Sequence, residues 1–165
     1  MKKSELIDLL KKMTRQITPA DFAFARKYLE EDMKEVPDGL RRKWIEAILS
    51  YLFQNLKDLA KLREDSIEDE EIDENSYKEI IQRIRNNSKS SKSEAEHFRK
   101  IAEAVIPYLI FIARKPVHPP ETKFPGGLKI RKIERRYLCP VKSKQMNSYS
   151  FCEFCPCDKM DSHSW

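Results

Sequence analysis

Glycine is scarce in this 165-residue chain, which has three in all, at Gly39, Gly126 and Gly127. Phosphate-cradling turns need glycine wherever the backbone takes a positive φ or approaches a ligand closely, so the common nucleotide-binding loops have no place to form. A serine-nucleophile elbow and a zinc-protease helix motif are absent as well. No stretch approaches the roughly eighteen consecutive apolar residues of a membrane span. The first segment, MKKSELIDLLKK, breaks its apolar positions with Glu5, Asp8 and Lys11 and reads as neither signal peptide nor anchor. A cytoplasmic location is therefore expected. Cysteine is absent from Met1 to Leu138 and then occurs at Cys139, Cys152, Cys155 and Cys157. In a chain with no export signal, thiols confined to the tail argue for metal ligands and against a disulfide framework.

What the chain does contain is helix-forming sequence. Apolar residues make up 40% and aromatics 10% of it, enough for a single domain with a core, and a net charge of +5 does not by itself demand an acidic partner. Leu6, Ile7, Leu10 and Met13 recur at helical spacing behind Ser4, which is read as the cap of a helix over 4–15. Thr18-Pro19 opens a second helix with a stripe of Phe22, Ala25, Leu29 and Met33 that ends at Pro37-Asp38-Gly39. A third runs from about Leu40 to Leu62 on Trp44, Ile45, Ile48, Leu49, Leu52, Leu56 and Leu59.

Residues Arg63 to Glu74 hold eight carboxylates in twelve positions and read as a solvated linker. Capping-box pairs, Ser76 with Glu79 and Ser93 with Glu96, predict two further helices, separated by the polar loop Asn86–Ser93. The last becomes apolar on nearly every side from Ile101 to Ala113 and should be central, with a kink or break at Pro107. His97, in its polar first turns, reads as a packing or surface histidine.

Beyond Ala113, Pro116, Pro119, Pro120 and Pro125 forbid helix and Gly126-Gly127 supplies a turn. Leu128 and Ile130, then Ile133, Tyr137 and Leu138, predict a β-hairpin delivering Cys139 to the next loop. The pair in Cys152-Glu153-Phe154-Cys155 can point both sulfurs at one ion, and a twelve-residue loop from Cys139 supplies a third. A structural zinc site needs a fourth ligand, from His118, Cys157 or His163. His118 is preferred because flanking prolines hold it directly after the central helix. Cys157 is the alternative, since it follows Cys155 across a stiff Pro156, and His163 sits in a tail prone to fray.

The order His118-Pro119, Phe124-Pro125-Gly126-Gly127, Tyr137-Leu138-Cys139-Pro140-Val141-Lys142, Lys144-Gln145 and Cys152-Glu153-Phe154-Cys155 resembles the C-terminal signature of an archaeal family best populated in methanogens. That family is catalogued as domain of unknown function 2115 (uncharacterised protein family 0305). The resemblance covers about forty residues of the tail. It implies His118, Cys139, Cys152 and Cys155 as the family's candidate ligands, with Cys157 a local extra, and it implies no mechanism.

The expected fold is mainly α: a bundle of about five helices over 1–115, with a tail over 116–160 that carries a β-hairpin and a Cys-x2-Cys metal knuckle, the whole 1–165 forming one domain. The expected function is a binding or scaffold module with structural zinc, not an enzyme. Three other readings stand behind it. An iron-sulfur protein would use cysteines followed by proline, as at Cys139-Pro140 and Cys155-Pro156. A zinc hydrolase would keep an open metal position with Glu121 or Glu153 as base. Nucleic-acid binding is the third: between Arg114 and Lys144 ten Lys or Arg face two acids, so Lys129, Arg131, Lys132, Arg135 and Arg136 are its candidate contacts. Charge of this kind more often marks the solvated face of short strands, paired in part with the acidic stretch. A protein partner fits a scaffold equally well.

Overall fold

A computed structural model of the protein describes residues 1–88, 93–120, 122–124, 126–142, 144 and 147–160. Apolar residues three and four apart produce five α-helices among them: α1 (Lys3–Thr14), α2 (Pro19–Asp32), α3 (Asp38–Lys61), α4 (Glu74–Asn87) and α5 (Ser93–Pro107). The class is mainly helical, as expected, with one small sheet near the C-terminus. Helix α5 is central. Ile101, Ala104, Val105 and Leu109, in and just beyond it, are fully buried against Leu6 and Leu10 of α1, Leu29 of α2 and Leu49 and Leu52 of α3. Its other side, through Ala102 and Ile106, meets Ile80 and Ile84 of α4. No helix among the described residues is long and apolar enough to cross a membrane.

Pro107 does not break the helix. The chain continues as a π-helical segment, Tyr108–Ala113, whose wider turn accommodates a ring that would clash with the carbonyl of Glu103 and an N–H that is missing. The segment ends at Arg114 in the left-handed region, φ 52°, with Arg114 Nη1 donating to the Ile110 carbonyl at 2.9 Å.

Two helix starts differ from their expected positions. Asp73 caps α4, accepting from the amides of Asn75 and Ser76 at 3.2 and 3.3 Å, so Ser76 lies inside the helix. Ser4 lies inside α1, and its amide donates to Asp69 Oδ1 at 3.0 Å, while the Lys3 amide donates to the Glu70 carbonyl at 3.0 Å. The acidic run is therefore not a free linker. It supplies acceptors and negative charge to the positive end of α1, where orphan amides and the helix dipole favour both. Lys3 Nζ closes on Glu70 at 2.6 Å, and Ile72 is buried in the main core.

A hairpin is present with its first strand later than expected: β1 (Arg131–Ile133) and β2 (Arg136–Cys139) are antiparallel with Lys132 opposite Tyr137, while Ile130 precedes β1 and Leu128 bridges to Phe124. Glu134 turns it with φ 57°. A short third strand, β3 (Asp158–Lys159), pairs parallel with β2, placing Cys139 opposite Lys159 and bringing the end of the tail back beside Cys139.

Candidate functional site

Side chains of α3 and α4 hold the tail to the bundle. Tyr51 of α3 donates its hydroxyl to the Pro116 carbonyl at 2.6 Å. Arg83 of α4, only 11% exposed, donates to the Ser150 carbonyl at 2.6 Å, pairs with Glu79 and Glu153, and lies over the Phe154 ring at 4.9 Å from its centroid. Phe151 and Phe154 pack beside it on the α4–α5 cluster. Arg83 carries no sequence signature, being one charge on a helix face. Its pairing also fixes Glu153 as an ion-pair partner. Glu121, Gln145 and His163 lie outside the described residues.

The four cysteines are neighbours. Cys139 and Cys157 share a buried cluster with Ile130, and Cys155 packs against it. Cys152, also buried, is close enough to act electrostatically on Cys139. Lys142 buttresses the Cys152–Cys155 turn from within, donating to the carbonyls of both Cys152 and Cys155, the latter at 2.7 Å. The four thiols are free, with no disulfide among them.

Burial pushes the Cys139 thiol up, the amides of Val141 and Lys142 donate to it and pull it back, and Cys155 and Cys152 add to the rise. Cys155 and Cys157 are hydrogen-bonded to each other. The bond to Cys157, helped by the Cys157 and Val117 amides, holds Cys155 below the usual thiol range and pushes Cys157 above it. Burial also raises the Tyr51 hydroxyl, with Tyr137, Cys155 and Cys157 contributing, which locates the cluster at the seam between α3 and the sheet.

His118 is placed differently. The residue lies at the surface, and its ring packs edge-to-face on Phe124 at 5.7 Å in a cleft it shares with Trp44 and Ile48 of α3. Its imidazole is pulled below the ordinary range by its dense surroundings. The residue beside it, Val117, is the one whose amide reaches Cys155. Among the described residues, no group of three or more His, Cys, Asp or Glu side chains is set to hold a metal ion in this arrangement.

The hairpin is exposed along β1. Lys132 lies over the Tyr137 ring at 5.5 Å and Arg136 pairs with Asp158 at 2.8 Å. The acidic run 64–74 pairs with α1 and its neighbourhood, through Lys2 and Lys3, and no ion pair joins it to the hairpin among the described residues. His97 Nδ1 donates to Asp21 at 2.6 Å and stacks on Phe24, tying α5 to α2.

Comparison with known proteins places the chain. A family described as an uncharacterised protein conserved in archaea (DUF2115) matches residues 2–160. A UPF0305 protein of Methanocaldococcus jannaschii is 40% identical over 161 residues, covering 98% of both chains. One from Methanococcus maripaludis strain C7 is 34% identical over 161 residues, covering 98% of this chain and 99% of the relative. A third, from Methanothermobacter thermautotrophicus, is 31% identical over 157 residues, covering 94% of each. No solved structure matches. The likeness thus extends over the helices as well as the tail, and the chain belongs to the DUF2115 family of archaeal proteins.

Proposed function

We propose that the protein is a metal-binding module in which structural zinc joins the sheet to the Cys152–Cys155 turn, with Cys139, Cys152 and Cys155 as ligands and Cys157 as the fourth in place of His118. The observation that carries this reading is the gathering of four free thiols around one buried corner of the fold. Soft thiolate donors suit zinc, and the amides aimed at Cys139 and Cys155 stabilise anionic sulfur. Zinc binds thiolate, so occupancy requires the ligand cysteines to lose their protons. Bound zinc would contribute folding free energy to the tail, with no open position for chemistry. Glu153, paired with Arg83, is not free to serve as a base.

Elemental analysis of protein purified anaerobically under reducing conditions tests this. One zinc per chain is expected, lost in Cys139→Ser and Cys157→Ser and retained in His118→Ala. Zinc that is lost with His118→Ala and kept in Cys157→Ser would restore the histidine as fourth ligand. Iron with acid-labile sulfide would replace zinc by a cluster, and protein free of metal from metal-replete cells would end the proposal.

A second reading, nucleic-acid binding, is supported by the exposure of β1 and by the acidic run pairing elsewhere. Changing Lys129, Arg131, Lys132, Arg135 and Arg136 together to Ser would then abolish low-salt binding of a single-stranded RNA probe, and equal binding by both proteins would eliminate it.

A further inference from the structure

The cleft beside His118 has the makings of a ligand site that is separate from the thiols. Its volume is about 380 Å³, within the range of small-molecule pockets. One wall is apolar: Met33, at the end of α2, with Trp44 and Ile48 on one face of α3. The opposite wall comes from the segment after the π-helical turn, with Phe124, Thr122 and His118. Lys123, which is exposed, lines the cleft as well, and among the described residues no carboxylate does.

The polar groups here are few and free. Among the described residues, the Trp44 indole N–H, the His118 ring nitrogens and the Lys123 ammonium take part in no hydrogen bond or ion pair. His118 is held by its edge-to-face contact with Phe124, which fixes the ring and leaves its nitrogens available. Thr122 is positioned by its own amide, which donates to the Pro119 carbonyl at 2.9 Å. An apolar slot with neutral donors on two sides and an unpaired cation at its rim is complementary to a flat apolar body bearing one negative charge. A neutral ligand would leave Lys123 unused, and a cation would meet it with like charge.

We propose that this cleft binds a small aromatic carboxylate, its ring against Trp44, Ile48 and Phe124 and its carboxylate facing Lys123, with the Trp44 and His118 N–H groups as donors. Occupancy would hold His118, Thr122 and Phe124 to α2 and α3, a further link between tail and bundle beside those of Tyr51 and Arg83.

The test uses 2-naphthoate as probe and the protein carrying Trp165→Phe, so that Trp44 is the single tryptophan reporter. Saturable quenching of Trp44 fluorescence is expected, with 2-naphthylmethanol binding more weakly. Lys123→Met should weaken naphthoate by about threefold to fivefold at low salt while leaving the alcohol unchanged, the effect of one partly solvated ion pair. Thr122→Phe, which places a ring inside the cleft without entering the core, should abolish both. Far-UV circular dichroism verifies that each variant is folded, and Lys57→Met, on an exposed turn of α3, should bind as the parent does. Absence of saturation, equal affinity for acid and alcohol, or indifference to Lys123→Met would each overturn the proposal. Because Thr122 and Lys123 are not thiol-site residues, failure here leaves the zinc reading standing, and metal content measured on the same samples separates the two.

Discussion

Replacing Asp21 by Asn probes the most demanding buried charge in the bundle. Asp21 is 3% exposed, yet it sits in the first turn of α2 surrounded by donors. The Thr18 amide reaches Oδ2 at 2.7 Å, His97 Nδ1 reaches Oδ1 at 2.6 Å, and Lys100 Nζ reaches Oδ2 at 3.1 Å. Burial alone would raise its pKa; the bonds from His97, Thr18 and Lys100 outweigh burial and lower it from 3.8 to about 2. At 1.36 kcal/mol per pH unit, that drop corresponds to about 2 kcal/mol of stability. A folded-state pKa below the unfolded one stabilises above about pH 4, and the contribution disappears as pH falls toward 2. In Asp21→Asn an amide NH2 meets donors, so the loss at pH 7 should be about 2–3 kcal/mol, a fall of roughly 5–10 °C in Tm for a chain of this size. Urea unfolding followed by circular dichroism, run on both proteins between pH 7 and pH 2.5, reads this directly. The gap should be wide at neutral pH and shrink on the acid side. A gap under about 0.5 kcal/mol at pH 7, or one that stays constant with pH, would refute the assignment of Asp21 as an ionised, bond-saturated anchor.

Two further outcomes follow from packing. Leu109→Ala removes a fully buried side chain from the main core and should cost about 3 kcal/mol, against under about 1 kcal/mol for Phe53→Ala, whose ring is 49% exposed; comparable losses in thermal unfolding would contradict the placement of the core. Arg83→Met removes the donors to Ser150 and the partner of Glu153, so limited proteolysis should cut within 147–155 several-fold faster, with about 1–2 kcal/mol of global destabilisation; unchanged cleavage would show that Phe151 and Phe154 suffice.

The helices were legible because their signal is local. Apolar spacing located α1, α2, α3 and α5, and the rule that Pro suits a first helical turn located the start of α2. Caps were legible only where the acceptor lies within the same few residues. For α4 both Asp73 and Ser76 are good caps, and the backbone uses the earlier. For α1 the partner is Asp69, 65 positions away, which no local pattern announces. The acidic run is solvated, as expected, and its clasp on α1 was not legible for the same reason: like charge resists burial, but it also suits the amide end of a helix. In the tail, spacing identified Cys139, Cys152 and Cys155 as a group, whereas the choice between Cys157 and His118 turns on side-chain direction. The return of the chain through β3 brings Cys157 beside Cys155 and Cys139, a neighbourhood that spacing alone does not announce.

The clasp between α1 and the acidic run also sets an order of assembly. Helix α1 leaves the ribosome first with Glu5 in place to accept from the Lys2 amide, but the acceptors for the Lys3 and Ser4 amides are synthesised only after α3 is complete. A twelve-residue helix with an unfilled end is marginal in water, so α1 must fluctuate until the chain has extended past Ile72. Joining positions that far apart has an entropic cost that grows only slowly with the length of the intervening loop. The first helix in sequence is therefore among the last to be fixed, and substitutions at Asp69 or Ile72 should appear in refolding rates as defects of α1.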